Sequence, residues 1–474
     1  MHRKEPKVMV GLISLGLGTY WPQFPGLKEQ LLGYKDKIAA HLSSPDVEVI
    51  DVGMIDGIDV AQAAVTKLKG ADMIVIYVAT YSVSSYLVPF VHDVKVPYLV
   101  LNVQPTGAID YRSVNQLHDR GDMTKEWLAY CQACAIPEIS CVFKHSGIDY
   151  HIITGHLQEQ QVWDELDNWN KALYIAKSLK HENIGILGNF YNGMLDVYTD
   201  IRQLSLTFGC HFELLEMCDL FQHRQALQPT QVEQELARMA SSFQVSPLCE
   251  AQELYRAAAT SGALRQLVGN HRLGAMAYYY EGTCGNAYED VVTSMIAGCT
   301  LLTADGIPMA GECEIKNVVA MKVMALLGSG GSFSEFYCMD FDEDVVLLGH
   351  DGPAHPLMSE TAVELVPLPL YHGKPGKGLS IQMTVRKGDV TLLSVGEDSQ
   401  GVFLLYAEGL SVEGETLQIG NTNSRYRFGI GARDFINRWC MAGPSHHCAI
   451  GIGHVGNVIE CLAALLGIRS IRVA

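Results

Sequence analysis

Apolar residues in the first 180 positions fall into short, nearly continuous runs at 8–14, 47–52, 73–78 and 98–102, with helical spacing between them. Uninterrupted runs of this length suit strands covered on both faces, as in a parallel sheet. Between the second and third runs, Val60, Ala61, Ala64, Val65 and Leu68 mark one face of a helix. Asp59 is its expected cap, and Gly70 stands just past its end. That is a βαβ unit, whose right-handed crossover predicts a doubly wound domain. A polar-patterned helix at 158–179 follows, and a strand at 184–188 opens a second α/β unit. This unit continues through a strand at 212–216, a helix at 230–243 and a strand at 275–280.

After about residue 365 the pattern changes. Short strands at 380–385, 390–395 and 402–406 are separated by Lys387-Gly388-Asp389 and Ser399-Gln400-Gly401, both hairpin signals. An antiparallel sheet or barrel is the expected packing, closed by a helix at 455–466 and a terminal strand at 470–473. The predicted fold class is α/β: two doubly wound parallel-sheet α/β domains, 1–180 and 181–309, followed by a mostly antiparallel β-barrel-like C-terminal domain, 310–474. A length of 474 residues agrees, at roughly 150 residues per domain.

Composition narrows the partners. With 34 Lys and Arg against 52 Asp and Glu, the net charge of −18 repels phosphate backbones and anionic lipid headgroups, which argues against nucleic acid and membrane surfaces. The start, Met1 to Pro6, is basic, and the apolar run behind it is too short and glycine-broken for a leader. No run reaches the roughly 18 apolar residues of a membrane span. Thirteen cysteines form no spaced framework, and several sit in apolar runs, which fits reduced thiols in a cytoplasmic protein.

Several eye-catching segments read better as structure. Gly16-Leu17-Gly18 follows the first strand, but Trp21 stands where a dinucleotide fingerprint needs its third glycine. A tight turn with Trp21 packing against it is expected. Cys131-Gln132-Ala133-Cys134 lacks a second pair at zinc spacing, and Trp127 and Leu128 suggest a helix whose thiols pack as small apolar groups. Tyr278-Tyr279-Tyr280 and Arg425-Tyr426-Arg427 suit strand packing as well as ligand binding.

The segment from Asp305 to His355 carries more chemistry. Gly306-Ile307-Pro308 and Gly311 break the chain before Glu312, and a helical pattern begins at Lys316. Glu312 is therefore expected at a loop-to-helix junction at the end of an α/β strand, where ligands bind. Glu335 lies among aromatic and β-like neighbours in Phe333-Ser334-Glu335-Phe336-Tyr337, so burying it requires a proton, a base or a metal ion. The apolar run 345–348 delivers His350 at its tip, with Asp351 and His355 nearby. Ala442-Gly443-Pro444-Ser445 breaks the chain before His446 and His447, which can project to opposite sides. Two carboxylates and two imidazoles, each beside a chain break or strand tip, make a ligand set suited to Mn²⁺ or a similar divalent ion.

These blocks resemble L-arabinose isomerases and the related L-fucose isomerase-like proteins. Gly311-Glu312-Cys313-Glu314-Ile315-Lys316 is similar to the family's GEGDxK, Phe333 to Tyr337 to its FMEDY, Leu348-Gly349-His350 to its LGSH, and Ala442 to His447 to its AGGAHH. Ile153-Thr154-Gly155-His156 is similar to its VTGHW. The resemblance implies Mn²⁺ held by Glu312, Glu335, His350 and His447, aldose to ketose isomerisation through an enediol, and a homo-oligomer, commonly a hexamer. It also has gaps: Cys134 stands where the family has a histidine, and Ser14 to Tyr20 lacks the glutamine of its GSQHLYG. Those blocks serve distal hydroxyls, so the expected substrate is an L-arabinose-like pentose or a related sugar and not L-arabinose itself.

The residues suit that reaction on chemical grounds as well. Moving a carbonyl from C1 to C2 requires a proton taken from one carbon and returned to the other, work for paired carboxylates such as Glu312 and Glu335. A divalent cation stabilises the charge that builds on oxygen. A non-catalytic sugar-binding or regulatory protein, and an epimerase or lyase using the same enediolate, are the alternative readings.

Overall fold

The computed structural model describes residues 6–283, 285–371 and 376–474, so nearly all of the basic start lies outside the described residues. The chain divides into two compact units, His2–Lys177 and Ser178–Ala474. Among the described residues no helix is long and apolar enough to cross a membrane.

The first unit is built on a parallel sheet of strands β1 (Val8–Leu15), β2 (Val47–Ile55), β3 (Met73–Val78), β4 (Tyr98–Gln104) and β5 (Tyr150–His156), in the order β2-β1-β3-β4-β5. Central β3 is buried at every position, as an all-apolar strand covered on both faces must be. β2 lies at the edge and is only partly covered, which its Glu48 and Asp51 already require. Helix Ile58–Leu68 buries Ala61, Ala64, Val65 and Leu68, the face read from the sequence. Its N-cap is Gly57 instead of Asp59, which sits inside the first turn and there complements the helix dipole. The turn after β1 is tight for the reason expected. A Cβ on Gly16 would lie 2.9 Å from the Trp21 ring, and one on Gly18 would lie 2.7 Å from the Asp56 carbonyl oxygen. Trp21 Nε1 donates to Asp56 Oδ2 at 2.7 Å, so this turn is a packed structural corner.

In the second unit, β6 (Asn183–Gly188), β7 (His211–Leu215), β9 (Ala275–Tyr279) and β10 (Met309–Ala310) form a parallel sheet in the order β10-β9-β6-β7. The short β8 (Gln244–Val245) belongs to a different sheet. β11 (Gly330–Asp340) and β12 (Val345–His350) open a closed antiparallel barrel. β13 (Glu364–Leu368) and β14 (Gly378–Gln382) do not join it. They pair with each other and with β8 in a three-stranded sheet. The 380–385 run is thus a strand outside the barrel, and Lys387-Gly388-Asp389 is a crossover between sheets instead of a hairpin. β15 (Gly388–Asp398) and β16 (Gly401–Val412) are the true hairpin, with Asp398 facing Gly401 across the Ser399-Gln400 turn. β17 (Thr422–Phe428) and β18 (His447–Ile452) complete the six-strand circuit β15-β18-β11-β12-β17-β16. The terminal β19 (Arg469–Arg472) adds to β16 in parallel.

Two helices fix the barrel. Ile315–Leu326 is buried from Ile315 through Met324, because it packs against β9 on one side and β11, β15 and β18 on others. A helix covered all round must be apolar all round. Of its polar exceptions, Lys322 is tied off, its Nζ lying 3.3 Å from Glu182 and donating to the Gly274 carbonyl at 3.1 Å. Helix Ala432–Met441 inserts Phe435 and Trp439, with Phe435 stacked on Phe428 at 3.6 Å. Truncating either to alanine is expected to cost about 3–5 kcal/mol.

Candidate metal centre

Parallel strands β9 and β10 end side by side, and the chain then turns through Gly311 to Glu314 into the buried helix. Glu312 and Cys313 both adopt left-handed backbone, φ +54° and +56°. Neither is glycine, so the turn stores on the order of 1–3 kcal/mol per residue, which its surroundings must hold. They do so through Cys313 N–H donating to the Tyr278 carbonyl and Glu314 N–H to that of Gly311, both at 3.0 Å. The strained turn lifts the Glu312 carboxylate off the carboxyl end of the sheet.

The barrel presents the other groups by register. Glu335 on β11 pairs with Gly349 on β12 and, on its other side, with His447 on β18. Glu335 and His447 are therefore direct cross-strand neighbours, and His350 ends β12 one residue past Gly349. Glu312, His350 and His447 each offer a ligand atom within 4.8 Å of the others, as do Glu335, His446 and His447. His447 belongs to both groups. His350 Nε2 lies 3.8 Å from Glu312 Oε1 and His447 Nε2 lies 3.4 Å from Glu312 Oε2. Phe333 packs against the rings of His350 and His447, 4.4 Å from each.

Hydrogen bonding leaves this cluster short. Glu312 Oε2, both Glu314 carboxylate oxygens and both His447 ring nitrogens are buried with no hydrogen-bond partner. Polar groups buried this way cost free energy unless something compensates them. A divalent cation fits, because converging carboxylate oxygens and imidazole nitrogens are its ordinary donors. Glu314, fully buried, places its carboxylate 3.7 Å from His447 Nδ1. The other nitrogen of the same ring, Nε2, faces Glu312, so His447 lies between two carboxylates.

His446 does not point away to solvent. Asp196 Oδ2 accepts from both its backbone N–H, at 2.9 Å, and its ring Nδ1, at 2.6 Å. This leaves Nε2 3.5 Å from Glu312 and 4.0 Å from Glu335, and the two adjacent imidazoles lie 3.8 Å apart. β18 starts only at His447, so strand alternation does not separate the pair. Burial works against a charged His446, but Glu312 and Asp196 overcome it and push its pKa up to about 9. Burial also works against ionisation of Glu312, yet His446, His447 and His350 hold it below the usual carboxylate range. Glu335 is pushed up, by burial first and by Glu312 and Asp351 in addition, although His447 and His446 oppose this.

Glu312, Glu335 and His350 face a cavity of about 450 Å³. Tyr191, Tyr279 and Tyr337 form much of its wall, and Tyr191 and Tyr279 lie ring against ring at 4.7 Å. Of the tyrosine triplet, Tyr278 and Tyr279 line the cavity while Tyr280 does not. Asp351 joins the wall. His355 is buried elsewhere, its N–H donating to Ser332 Oγ at 3.3 Å. Arg425 is structural, bound to Asp340 and Glu343. Asp196 and Glu314 had no role in the sequence reading. Only Glu314 carried a signal, as a second acid two residues from Glu312.

Two curated relatives match the chain, and both are sugar isomerases. A sulfoquinovose isomerase from Alkalicoccus urumqiensis is 20% identical over 290 residues, covering 59% of this chain and 64% of that protein. An L-arabinose isomerase from Geobacillus thermodenitrificans (strain NG80-2) is 19% identical over 345 residues, 69% of this chain and 67% of that protein. The chain thus spans a little under two thirds of the first relative's length. No family model matches. At these identities the similarity is that of a distant, divergent relative of sugar isomerases.

Proposed function

We propose that the chain is a metal-dependent aldose–ketose isomerase of a sugar, with Glu312, Glu335, His350 and His447 holding Mn²⁺ or a similar divalent cation. The observation that carries this reading is a pair of ligand groups, Glu312 with His350 and His447 and Glu335 with His446 and His447, that share His447, hold buried unsatisfied donor atoms and adjoin the cavity that Glu312, Glu335 and His350 face. Two sugar isomerases among the relatives support the reaction class.

A cation bound there stabilises the negative charge that builds on the sugar's O1 and O2. The protein's own groups do the rest. Glu312 and Glu335 exchange a proton between C2 and C1, one carboxylate taking it while the other serves the enediol oxygens. His446, anchored by Asp196, stands between the acids and offsets their repulsion. The Tyr191–Tyr279 wall offers an apolar face to the C–H side of a sugar, in a cavity of monosaccharide scale. The substrate is an L-arabinose-like pentose or a related sugar. The same reading includes a homo-oligomer, hexameric by resemblance, in the cytoplasm. It also includes the domain plan 1–180, 181–309 and 310–474 with doubly wound α/β parts, supported by two parallel sheets and a barrel.

The test is chelation followed by Mn²⁺ addition, with ketose formation read across pentoses, hexoses, deoxy sugars and sulfonated sugars. Turnover lost on chelation and regained with Mn²⁺ is expected. Sugar binding without turnover across the panel would replace this reading with the non-catalytic one, and an epimer or cleavage product would replace it with the alternative enediolate chemistries.

A further inference from the structure

Cys131 and Cys134 do not lie on a helix, as expected from the sequence, but in the turn between helices Arg120–Leu128 and Ile136–Ser146. Their sulfurs are 3.0 Å apart. We propose that this pair is a reversible dithiol–disulfide site that exchanges with small-molecule disulfides. The inference does not depend on the isomerase reading.

The turn is held in place. Gln132, between the two cysteines, donates from Nε2 to the Ala79 carbonyl at 3.0 Å and to that of Ala129 at 2.8 Å. Thr80 Oγ1 donates to the Leu128 carbonyl at 2.7 Å, and Ala135 N–H closes the turn on the Gln132 carbonyl at 3.2 Å. Forming a bond of about 2.05 Å therefore requires the sulfurs to close by about 1 Å, within reach of side-chain rotation on a fixed backbone. Neither cysteine belongs to the metal-ligand clusters found among the described residues.

The two sulfurs differ in access, which orders the chemistry. Cys134 is exposed and Cys131 is buried. Burial pushes the Cys131 thiol up to about 12, with Cys134 adding to the rise and a backbone hydrogen bond at Tyr81 acting the other way. Cys134, as thiolate, attacks one sulfur of the external disulfide RSSR, giving a mixed disulfide and releasing RS⁻, which takes up the proton Cys134 gave. Cys131 then loses its proton and attacks Cys134 Sγ. The Sγ–Sγ bond forms and a second RSH leaves. Two protein thiols are oxidised and one external disulfide is reduced to two thiols.

The experiment treats the full chain with glutathione disulfide, alkylates the remaining thiols with iodoacetamide and maps the peptides by mass. Exposed Cys141, Cys338 and Cys440 serve as single-thiol references. Cys131 and Cys134 are expected to lose label together, with a linked peptide lacking two hydrogens that dithiothreitol restores. Cys131→Ser, with Cys131→Ala as a second variant, should instead accumulate a glutathione adduct on Cys134, and Cys134→Ser should abolish both products. Retention of label at Cys131 and Cys134 while the reference cysteines become glutathionylated would overturn the proposal. So would Cys131 variants in which Cys134 carries no more adduct than in the wild type.

Discussion

One oxygen of Asp196 accepts both the backbone N–H and the ring Nδ1–H of His446, at 2.9 and 2.6 Å, and so fixes the ring with Nε2 facing Glu312 and Glu335. Burial opposes ionisation of Asp196, but these contacts hold it below the usual carboxylate range. The carboxylate is thus a committed acceptor, and its charge is what His446 needs behind it. Lys316 Nζ and Ser445 Oγ both donate to the Asp196 backbone carbonyl, which fixes the loop carrying the acid.

Asp196→Asn keeps the shape and removes the charge. If His446 offsets the repulsion between the two glutamates, kcat should fall roughly 10- to 100-fold, the cost typical of losing a carboxylate that orients a site imidazole. KM should change far less. Measuring both constants for Asp196→Asn and Asp196→Ala decides it; unchanged kcat in both would show that His446 is merely packed there.

Glu312→Gln and Glu335→Gln should each lower turnover by about 10²- to 10⁴-fold, the range for losing an acid–base group. Their effects on the metal-free fold should differ. Burial pushes the Glu335 carboxyl toward its neutral form, whereas Glu312 is held ionised by three imidazoles. Glu335→Gln should therefore leave the Tm of chelated protein equal or higher, and Glu312→Gln should lower it. Thermal melts in a chelator check the order, and the reverse order would contradict this electrostatic picture.

The sequence revealed more of the site's chemistry than of its geometry. Glu312 was legible because glycine and proline break the chain before it, and His350 because an apolar strand ends at it. The cross-strand pairing of Glu335 with His447 was not, since register depends on which strands close the barrel, and more than 100 residues separate the two. Asp196 was invisible for the same reason: it meets His446 across 250 positions, from a loop with no pattern of its own. The same limit misassigned β14, whose apolar alternation suits a barrel strand as well as the small sheet it joins with β13 and β8. Local features such as the Ser399-Gln400 hairpin and the buried face of helix Ile58–Leu68 needed no distant partner and were readable.

Metal binding should appear as stability. An ion that binds only the folded chain adds about 2.7 kcal/mol at a hundred-fold excess over its Kd, a rise in Tm of about 3–4 °C for a unit of this size. Mn²⁺ should raise the Tm of chelated protein by that amount, and calorimetry with stepwise addition reads it directly. His447→Ala should abolish the rise, since that residue is shared by both ligand groups. A full Mn²⁺ shift in His447→Ala would place the ion elsewhere.

Acid should loosen the first unit through Glu138. Its carboxylate accepts from the Ser84 backbone N–H at 3.1 Å and the Tyr81 hydroxyl at 2.9 Å, tying helix Ile136–Ser146 to the segment after β3. The Ser84 backbone bond first, and Tyr81 with it, hold Glu138 below the usual carboxylate range, although burial opposes them. A carboxylate whose folded pKa is depressed contributes stability above its unfolded pKa and loses it as pH falls through the folded value. The Tm difference between wild type and Glu138→Gln should therefore be constant from neutral pH down to about pH 5 and shrink below that. Melts at intervals from pH 7 to pH 3 measure this, with hydrogen exchange at the Ser84 amide as a local readout. A difference that stayed constant, or grew, as the carboxylate protonated would mean that the charge of Glu138 does not brace the helix and that only the shape of its side chain matters.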